Sequence, residues 1–353
     1  MLFRRPNHCK HLTGKRQSGV AIITALLIVT IAATVSITIS TQLQLDVRRT
    51  SNMIALDQAN NYASFIEKFV QDLLQDKDNF DTFMTTLTTD GKVKQNYPVE
   101  NGTVVGEITD LNSCININSL VSSSTPPAAV DPLVQSRLTR LFNKNQIPAT
   151  MIPAIIDWID ADSNTTSAPN GAEDGHYLNL EQPYHTANRA LTSITELRLI
   201  KGADNPQDSP TYKNYQTLSK LAEAFREGTD NWPSLCAFNT NPLSPPQINV
   251  NTASRDVLLS LSPDMTTGEV NAIIDCRGKS GGEFKNMSDF TSCGNVSTII
   301  KGSDRDQLDV ISNYFLLKTT VNVGDATNVT YSIIFRDAAN GTTEIISRTQ
   351  RTL

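Results

Sequence analysis

The chain has 353 residues, with 30 Lys and Arg, 36 Asp and Glu, and a formal net charge of −6. This length predicts two or three domains and exceeds what one small α/β domain needs. Nucleic-acid binding rests largely on Lys and Arg that neutralise phosphates. The acidic balance therefore argues against a nucleic-acid partner and suits divalent cations or basic partners.

Residues 1–19 form a basic leader that contains five Lys or Arg and no acidic residue. Residues 20–40 follow without a charge, and this apolar run is long enough to cross a bilayer as one helix, which we predict over 20–41. Because the cytoplasmic flank of a membrane helix carries the excess of Lys and Arg, the remainder of the chain should face the far side of the membrane.

A small residue precedes the apolar run, in the sequence Lys15-Arg16-Gln17-Ser18-Gly19-Val20. A secretory signal instead has its small-residue cleavage site after the apolar region. Cleavage between Gly19 and Val20 would leave the apolar helix on a mature chain of net charge −11. This arrangement resembles type IV pilins and pseudopilins, whose leader is removed by a prepilin peptidase and whose new amino terminus is methylated. An uncleaved signal anchor is the alternative.

The fifth residue of the expected mature chain is Thr24. Pilins and most pseudopilins carry a Glu there, which pairs with the amino terminus of a neighbouring subunit. An unpaired carboxylate in hydrocarbon is costly, so that Glu needs a partner charge. A subunit with Thr needs no such partner, which favours a position at the end of a filament.

No Pro or Gly interrupts residues 20–75, so we predict one helix from Val20 to about Leu74. Beyond the apolar run, residues at spacings of three and four predict one apolar face, made of Ala55, Ala59, Tyr62, Ile66, Phe69 and Leu73 and widened by Leu56, Ala63 and Val70. Strands are predicted at 103–108, 113–117, 314–323, 327–335 and 342–348. Asn340-Gly341 is a favoured hairpin turn between the last two.

Between these β regions the pattern is helical, with helices predicted at 132–145, 151–159 and 212–226 and a capping box from Ser193 to Glu196. Linkers rich in Pro, Ser or Asn are predicted at 122–127 and 239–246. The sequence therefore predicts an α+β fold. Its α/β domain comprises residues 20–119 and 310–353, and it holds a large all-α insertion in two subdomains, 120–240 and 245–309.

Several motifs together resemble the type II secretion minor pseudopilin K (general secretion pathway protein K) family over most of the chain. They are the segment Gly19–Ile28 without a Glu at position 24, Leu45–Thr50, Asp157–Asp162 followed by Gly171–Asp174, Ala187–Leu191, Glu196–Gly202 and Ile248–Ala253. The resemblance implies a pilin-like fold with two SAM-like insertions. It also implies a non-enzymatic protein of the inner membrane of a Gram-negative bacterium, with its C-terminal domain in the periplasm. There it would form the pseudopilus tip with the I and J minor pseudopilins.

The densest acidic cluster lies between a predicted helix end and a loop rich in Ser, Thr, Asn and Gly. Calcium takes six to eight oxygens from carboxylates, amides and backbone carbonyls, and the family resemblance also implies calcium in this region. The predicted ligands are Asp160, Asp162, Glu173 and Asp174, with Asp157 and Glu196 as outer candidates. The spacing departs from an EF-hand, which needs Gly at the sixth place and Glu at the twelfth. A solvated acidic loop and an N-capping role are the alternatives.

Five cysteines are present, and Cys9 would be lost with the leader. The remaining four, Cys114, Cys236, Cys276 and Cys293, form an even number in an exported region, where disulfides are plausible. Three connectivities are open, of which Cys276–Cys293 is the most local.

Two other functions compete with the role of a minor pseudopilin. Residues 247–284 resemble the helix-hairpin-helix of DNA-uptake proteins, which would suit a DNA-uptake or type IV pilus minor subunit. The closely spaced glycines that present backbone N–H groups to phosphate are missing there, however, and Asp264 stands in the hairpin. A calcium-dependent hydrolase would need a catalytic motif. His176 and His185 form no HExxH pair, and no G-x-S-x-G sequence occurs.

Overall fold

The computed structural model describes residues 18–76, 80–81, 83–84, 93–123, 129–203, 212–222, 233–241, 245–277 and 283–350. Most of the predicted leader lies outside the described residues. So do parts of both predicted linkers and residues 223–226 of the predicted helix 212–226. The chain divides into two compact units, Met1–Ala55 and Leu56–Leu353.

The first unit contains the N-terminal part of helix α1, which runs from Ser18 to Gln75. α1 is long and apolar enough to cross a membrane. Several of its Thr and Ser hydroxyls donate to carbonyls three or four residues earlier. Thr24 donates in this way to Val20 and Ala21. Polar hydroxyls are thereby satisfied inside the helix, as an apolar environment requires.

The second unit is built on a five-stranded antiparallel sheet of order β1-β2-β9-β10-β11. These strands are β1 Val93–Val99, β2 Gly102–Asp110, β9 Tyr314–Val323, β10 Ala326–Arg336 and β11 Thr343–Thr349. β9 has the predicted bounds. β1 was not predicted, because it is an exposed edge strand whose Lys, Gln, Asn and Pro give no apolar alternation.

The C-terminal part of α1 packs on this sheet. Its buried side chains are Ala59, Ala63, Ile66, Val70 and Leu74. Glu67 is also buried and accepts hydrogen bonds from Ser332 and Arg348 on the sheet. The predicted apolar face was wrong at Leu56 and Phe69, which are exposed. The buried residues follow Ala59 mostly at spacings of three and four. The helix face that contacts the sheet therefore lies to one side of the predicted apolar face.

The segments between β2 and β9 carry the helical insertion. Its helices are Pro132–Lys144, Ile152–Ile159, Asp174–Tyr177, Tyr212–Ala222, Arg255–Ser260, Thr267–Arg277, Met287–Thr291 and Val296–Ile299. The short strands are β3 Ile115–Asn116, β4 Val121–Ser123, β5 Ala129–Val130, β6 Leu235–Cys236, β7 Ile248–Asn249 and β8 Leu308–Asp309. One apolar core continues through both helical subdomains.

The two helical subdomains repeat one local design, marked in the sequence by Ile-Asn-x-Asn. In each subdomain a two-residue strand carrying the first Asn pairs in parallel with a later strand, β3 with β6 and β7 with β8. The side-chain amide of the second Asn donates to the backbone carbonyl of a distant residue and accepts from the backbone N–H of that same residue. The partner of Asn118 is Leu191, and the partner of Asn251 is Phe284. The insertion is therefore two versions of one helical module.

A buried carboxylate ties the sheet to the second module. Asp110, at the end of β2, accepts hydrogen bonds from the hydroxyls of Thr252 and Ser312 and from the backbone N–H of Asn112. Burial raises the pKa of Asp110 to about 6. These bonds hold the start of the second module, at Thr252, and the residue just before β9, at Ser312, against the end of β2.

Two disulfides link the described cysteines. Cys114 pairs with Cys236, 122 residues apart, and Cys276 pairs with Cys293, 17 residues apart. The first pair lies beside the β3–β6 bridge that closes the first module, and the second pair lies within the second module.

Candidate metal centre

The candidate metal centre is a cluster of three carboxylates in the first helical module. Asp160 and Asp162 follow the end of helix Ile152–Ile159, and Glu173 precedes the short helix Asp174–Tyr177. One carboxylate oxygen from each of the three residues lies within 4.8 Å of the others. The fold thus brings together three of the four predicted ligands.

Three carboxylate oxygens of Asp160 and Glu173 are buried without a hydrogen-bond partner, whereas Asp162 is half-buried and accepts from the backbone N–H of Asn164 at 2.8 Å. Asp160 is 2% exposed and Glu173 is 6% exposed. One oxygen of Asp160 and both oxygens of Glu173 are shielded from solvent and accept no hydrogen bond. A buried ionised carboxylate without a partner is strongly unfavourable, so this arrangement favours either protonation or a bound cation.

The pKa values of two carboxyl groups in the cluster are raised, as expected for buried groups without a partner. The pKa of Asp160 is raised to about 6 and that of Glu173 to about 7. Burial is the main cause in both cases, because it disfavours the charged form. Neighbouring carboxylates, among them Asp162 and Asp157, add to the effect.

Asp157, an outer candidate in the sequence analysis, holds the loop in place. Its two oxygens accept hydrogen bonds from the backbone N–H groups of Thr166, at 2.8 Å, and Ala172, at 2.7 Å. A Cβ at Gly171 would lie 2.3 Å from an oxygen of Asp157, so only glycine permits this approach. Asp157 therefore shapes the loop that carries the cluster.

Asp174 is not brought into the three-carboxylate cluster. One of its oxygens accepts from the backbone N–H and the hydroxyl of Thr186, and the other lies 2.8 Å from Nδ1 of His185. The His185 hydrogen bond is the main cause that lowers the pKa of Asp174. Glu196 is engaged elsewhere, because it accepts from the backbone N–H and the hydroxyl of Thr192.

The predicted capping box takes a different form. Ser193 caps a 3₁₀ helix, Ile194–Leu199, by accepting from the N–H of Thr195, and the reciprocal bond of Glu196 reaches Thr192 rather than Ser193. The tighter 3₁₀ turn shifts both partners by one residue toward the N-terminus relative to an α-helical capping box.

Asn188 is a residue that the sequence analysis did not identify. Its Oδ1 is shielded from solvent without a hydrogen-bond partner, while its Nδ2 donates to the backbone carbonyl of Asp162 at 3.2 Å. Its backbone φ is +46°, in the left-handed region that Asn tolerates better than most residues. No local pattern connects it with the acidic loop, because 14 residues separate it from Asp174.

The donor set fits calcium. The three clustered side chains offer hard carboxylate oxygens, which are among the ligands that calcium prefers. Zinc and copper sites instead favour nitrogen and sulfur ligands. Asp160, Asp162 and Glu173 would hold the ion, whose charge would offset their buried charge.

The other predicted site residues lie in the N-terminal helix and the second module. Gly19 and Val20 lie in the first turn of α1, where Val20 is exposed. In the second module, Leu258, Leu261 and Ile273 are buried in the apolar core, and Ile274 packs against that core partly buried.

Models of one protein family match both helical modules. Two family models, both described as "Type II secretion system (T2SS), protein K", match residues 113–209 and 248–310 of this chain. The matched regions correspond to the two versions of the helical module.

Relatives of the same description match nearly the full chain. Type II secretion system protein K of Aeromonas hydrophila is 28% identical over 340 residues, which is 92% of this chain and 95% of the relative. The proteins of Pectobacterium carotovorum and Pseudomonas aeruginosa are each 28% identical and cover 88% and 91% of this chain and 90% and 89% of their own lengths.

A solved structure shares the fold. The crystal structure of the GspK-GspI-GspJ complex from the enterotoxigenic Escherichia coli type 2 secretion system contains a chain that is 21% identical, with a TM-score of 0.62. The match covers 86% of this chain and 100% of that one. This likeness confirms the predicted α+β pilin-like fold with its helical insertion.

Proposed function

Because the chain belongs to the type II secretion system protein K family, we propose that it is the minor pseudopilin that forms the pseudopilus tip and supports secretion of folded proteins across the outer membrane. Its partners are the I and J minor pseudopilins. Its role is assembly rather than catalysis. The observation that carries the proposal is the match to relatives over about nine-tenths of both chains, including the pilin-like sheet as well as the helical modules.

An inner-membrane location with a periplasmic head is part of this proposal. The support is the long apolar part of α1 together with the basic residues that precede it. A prepilin peptidase would remove the leader at Gly19, and the apolar helix would then anchor the mature subunit until it enters the pseudopilus.

The head offers an apolar surface for a partner subunit. Phe65 and Phe69 lie one helical turn apart on α1 and are 67% and 43% exposed. Tyr97 on the edge strand β1 contacts Phe69 edge to face, with ring centroids 6.4 Å apart. Exposed aromatic residues grouped in this way are typical of protein–protein contacts.

A co-purification experiment tests the partnership. Full-length protein expressed with the I and J subunits of the same secretion system should co-purify with them from detergent extracts. If neither subunit is retained under conditions where the I and J subunits retain each other, the proposed partnership is wrong.

Calcium is the proposed cofactor of the first helical module. An ion that binds only the folded state raises stability by mass action. Calcium should therefore raise the melting temperature of the wild-type protein and leave that of an Asp160→Asn, Glu173→Gln variant unchanged. Asp174→Asn is the matched control: because Asp174 lies outside the cluster, calcium should still raise the melting temperature of this variant. No calcium effect on the wild type would refute calcium binding.

A further inference from the structure

A stripe of basic side chains on helix Pro132–Lys144 of the first module faces the second module. Arg137, Arg140 and Lys144 are spaced by three and four residues, so they share one face of the helix. Lys144 lies 3.7 Å from the carboxylate of Asp256 in the second module. Arginine is seldom fully buried, yet Arg137 is only 2% exposed. The stripe is therefore a contact between the two modules.

The guanidinium of Arg137 reaches from the first module into the second. Its Nη1 donates to Oε1 of Gln307 at 2.9 Å, and its Nη2 donates to the backbone carbonyl of Asp304 at 2.8 Å. Nε2 of Gln307 in turn donates at 2.7 Å to Asp131, the N-cap of the helix that carries Arg137. Burial lowers the pKa of Arg137 to about 10, so the side chain stays charged at neutral pH. A buried charge thus lies between the modules.

Arg140 caps a helix of the second module. Its Nε donates to the backbone carbonyl of Ser260, and its Nη2 donates to that of Leu261 at 3.2 Å. Ser260 is the last residue of helix Arg255–Ser260, and Leu261 is the C-cap. The last carbonyls of a helix have no partner within that helix, and an arginine side chain can supply the missing donor. The first module therefore satisfies this helix end of the second.

Loss of either arginine would leave acceptors of the second module without these donors. Ser260 and Leu261 are buried, so water is a poor replacement for Arg140. The apolar core also runs through both modules. Apolar contacts are non-directional, however, and they satisfy no carbonyl group. The polar contacts of the two arginines thus add a coupling that the apolar core cannot supply.

We propose that Arg137 and Arg140 couple the two helical modules into one cooperative unit, so that the modules open together rather than separately. The proposal goes beyond the assembly role, because it makes these arginines the residues by which one module positions the other. A partner that binds either module would then stabilise both, and the head would present the two modules in one fixed arrangement.

The test measures native-state hydrogen exchange in the full-length chain in detergent. The measured quantity is the protection of helices Arg255–Ser260 and Thr267–Arg277 relative to that of helix Pro132–Lys144. Arg137→Met with Arg140→Met keeps two straight apolar side chains and removes their donors. Arg305→Met is the matched control, since Arg305 donates in the same way to the carbonyls of Ser297 and Ile300, but inside the second module.

In the wild type the helices of both modules should share one opening free energy and one dependence on denaturant. The double variant should lower the protection of the second-module helices about tenfold to a hundredfold relative to helix Pro132–Lys144. In Arg305→Met the protection of both modules should fall together, with their ratio unchanged. Arg140→Lys keeps a charged donor and should shift the ratio less than Arg140→Met does.

Two results would overturn the proposal. One is a ratio that is unchanged in the double variant, because the apolar core would then suffice to couple the modules. The other is a wild type in which the two modules already exchange separately. If the double variant does not fold, Arg140→Met alone is measured, since Arg140 is only half-buried. A selective loss of protection in the second module would support the coupling, and an equal change in both modules would overturn it.

Discussion

The two disulfides should differ in their contribution to stability, because they close loops of very different length. The Cys114–Cys236 bond spans 122 residues and the Cys276–Cys293 bond spans 17. A disulfide stabilises mainly by restricting the unfolded chain, and the chain-entropy relation gives about 5 kcal/mol for the long loop and about 3 kcal/mol for the short one. Replacing Cys114 and Cys236 by Ala should therefore lower the free energy of unfolding by about 2 kcal/mol more than replacing the other pair.

The structure gives a local reason for the same ranking. The bond from Cys114 to Cys236 lies beside the bridge between β3 and β6, where the first module returns to the sheet. The other bond lies inside the second module, whose ends are also held by the bridge between β7 and β8 and by Asp110. Loss of the long-loop bond should therefore weaken the point where the first module closes beside the sheet, which the β3–β6 bridge would then hold without the covalent link.

The assay is denaturant unfolding of the full-length chain in detergent, followed by tryptophan fluorescence, for the wild type and the two Ala pairs. Protein with all four cysteines reduced provides the additive reference, because the pairs are far apart in sequence and their effects should add. If the Cys276–Cys293 pair contributes as much as the Cys114–Cys236 pair or more, the loop-length argument fails for this fold.

Three further predictions concern processing, pH and assembly. Gly19→Leu should leave an uncleaved precursor, whereas Gly19→Ala should be cleaved more efficiently. If mass spectrometry of the Leu variant detects mature protein that begins at Val20, prepilin processing is contradicted. The pKa of Asp110 is raised to about 6, so the folded chain holds a proton that the unfolded chain releases near pH 4. Stability should therefore fall by about 3 kcal/mol relative to Asp110→Asn as the pH rises from 4 to 7, and a difference independent of pH would count against this burial. Phe65→Ser with Phe69→Ser should reduce co-purification of the I or J subunit without changing the melting temperature; full retention of both subunits would exclude this surface.

The sequence predicted the architecture well where burial is periodic. α1, β9 and the helices at 132–144 and 152–159 appear at or near their predicted bounds, because their apolar residues follow one helical face or alternate along a strand. β1 escaped prediction because an edge strand exposed to solvent carries no such pattern. Phe69 fitted the helical spacing and yet is exposed, since spacing alone does not show which part of a wide apolar face another element covers.

The candidate site could be predicted only in part, for a different reason. Asp160, Asp162 and Glu173 stand in a dense acidic stretch and were identified from composition and spacing. Which acidic residues join the cluster and which shape the loop depends on the backbone N–H groups near them. No sequence pattern reveals that Asp157 and Asp174 accept hydrogen bonds from N–H groups of the loop. Asn188 reaches the backbone of Asp162 only through tertiary structure, because 26 residues separate the two.

Two features favour a position of this subunit at the tip of the pseudopilus. Thr24 stands where a charged Glu would pair with a neighbouring subunit, and its hydroxyl is satisfied within its own helix. The two helical modules enlarge the head far beyond the sheet and helix that a shaft subunit needs. A helical filament repeats one contact indefinitely, so each shaft subunit needs complementary surfaces at both ends.

Immuno-gold labelling of this subunit on assembled pseudopili can distinguish placement at the tip from placement along the shaft. Antibody against an epitope in the helical modules should label one end of each filament and leave the shaft bare, while antibody against the major subunit labels the whole length. Label of this subunit spread evenly along the filaments would contradict placement at the tip.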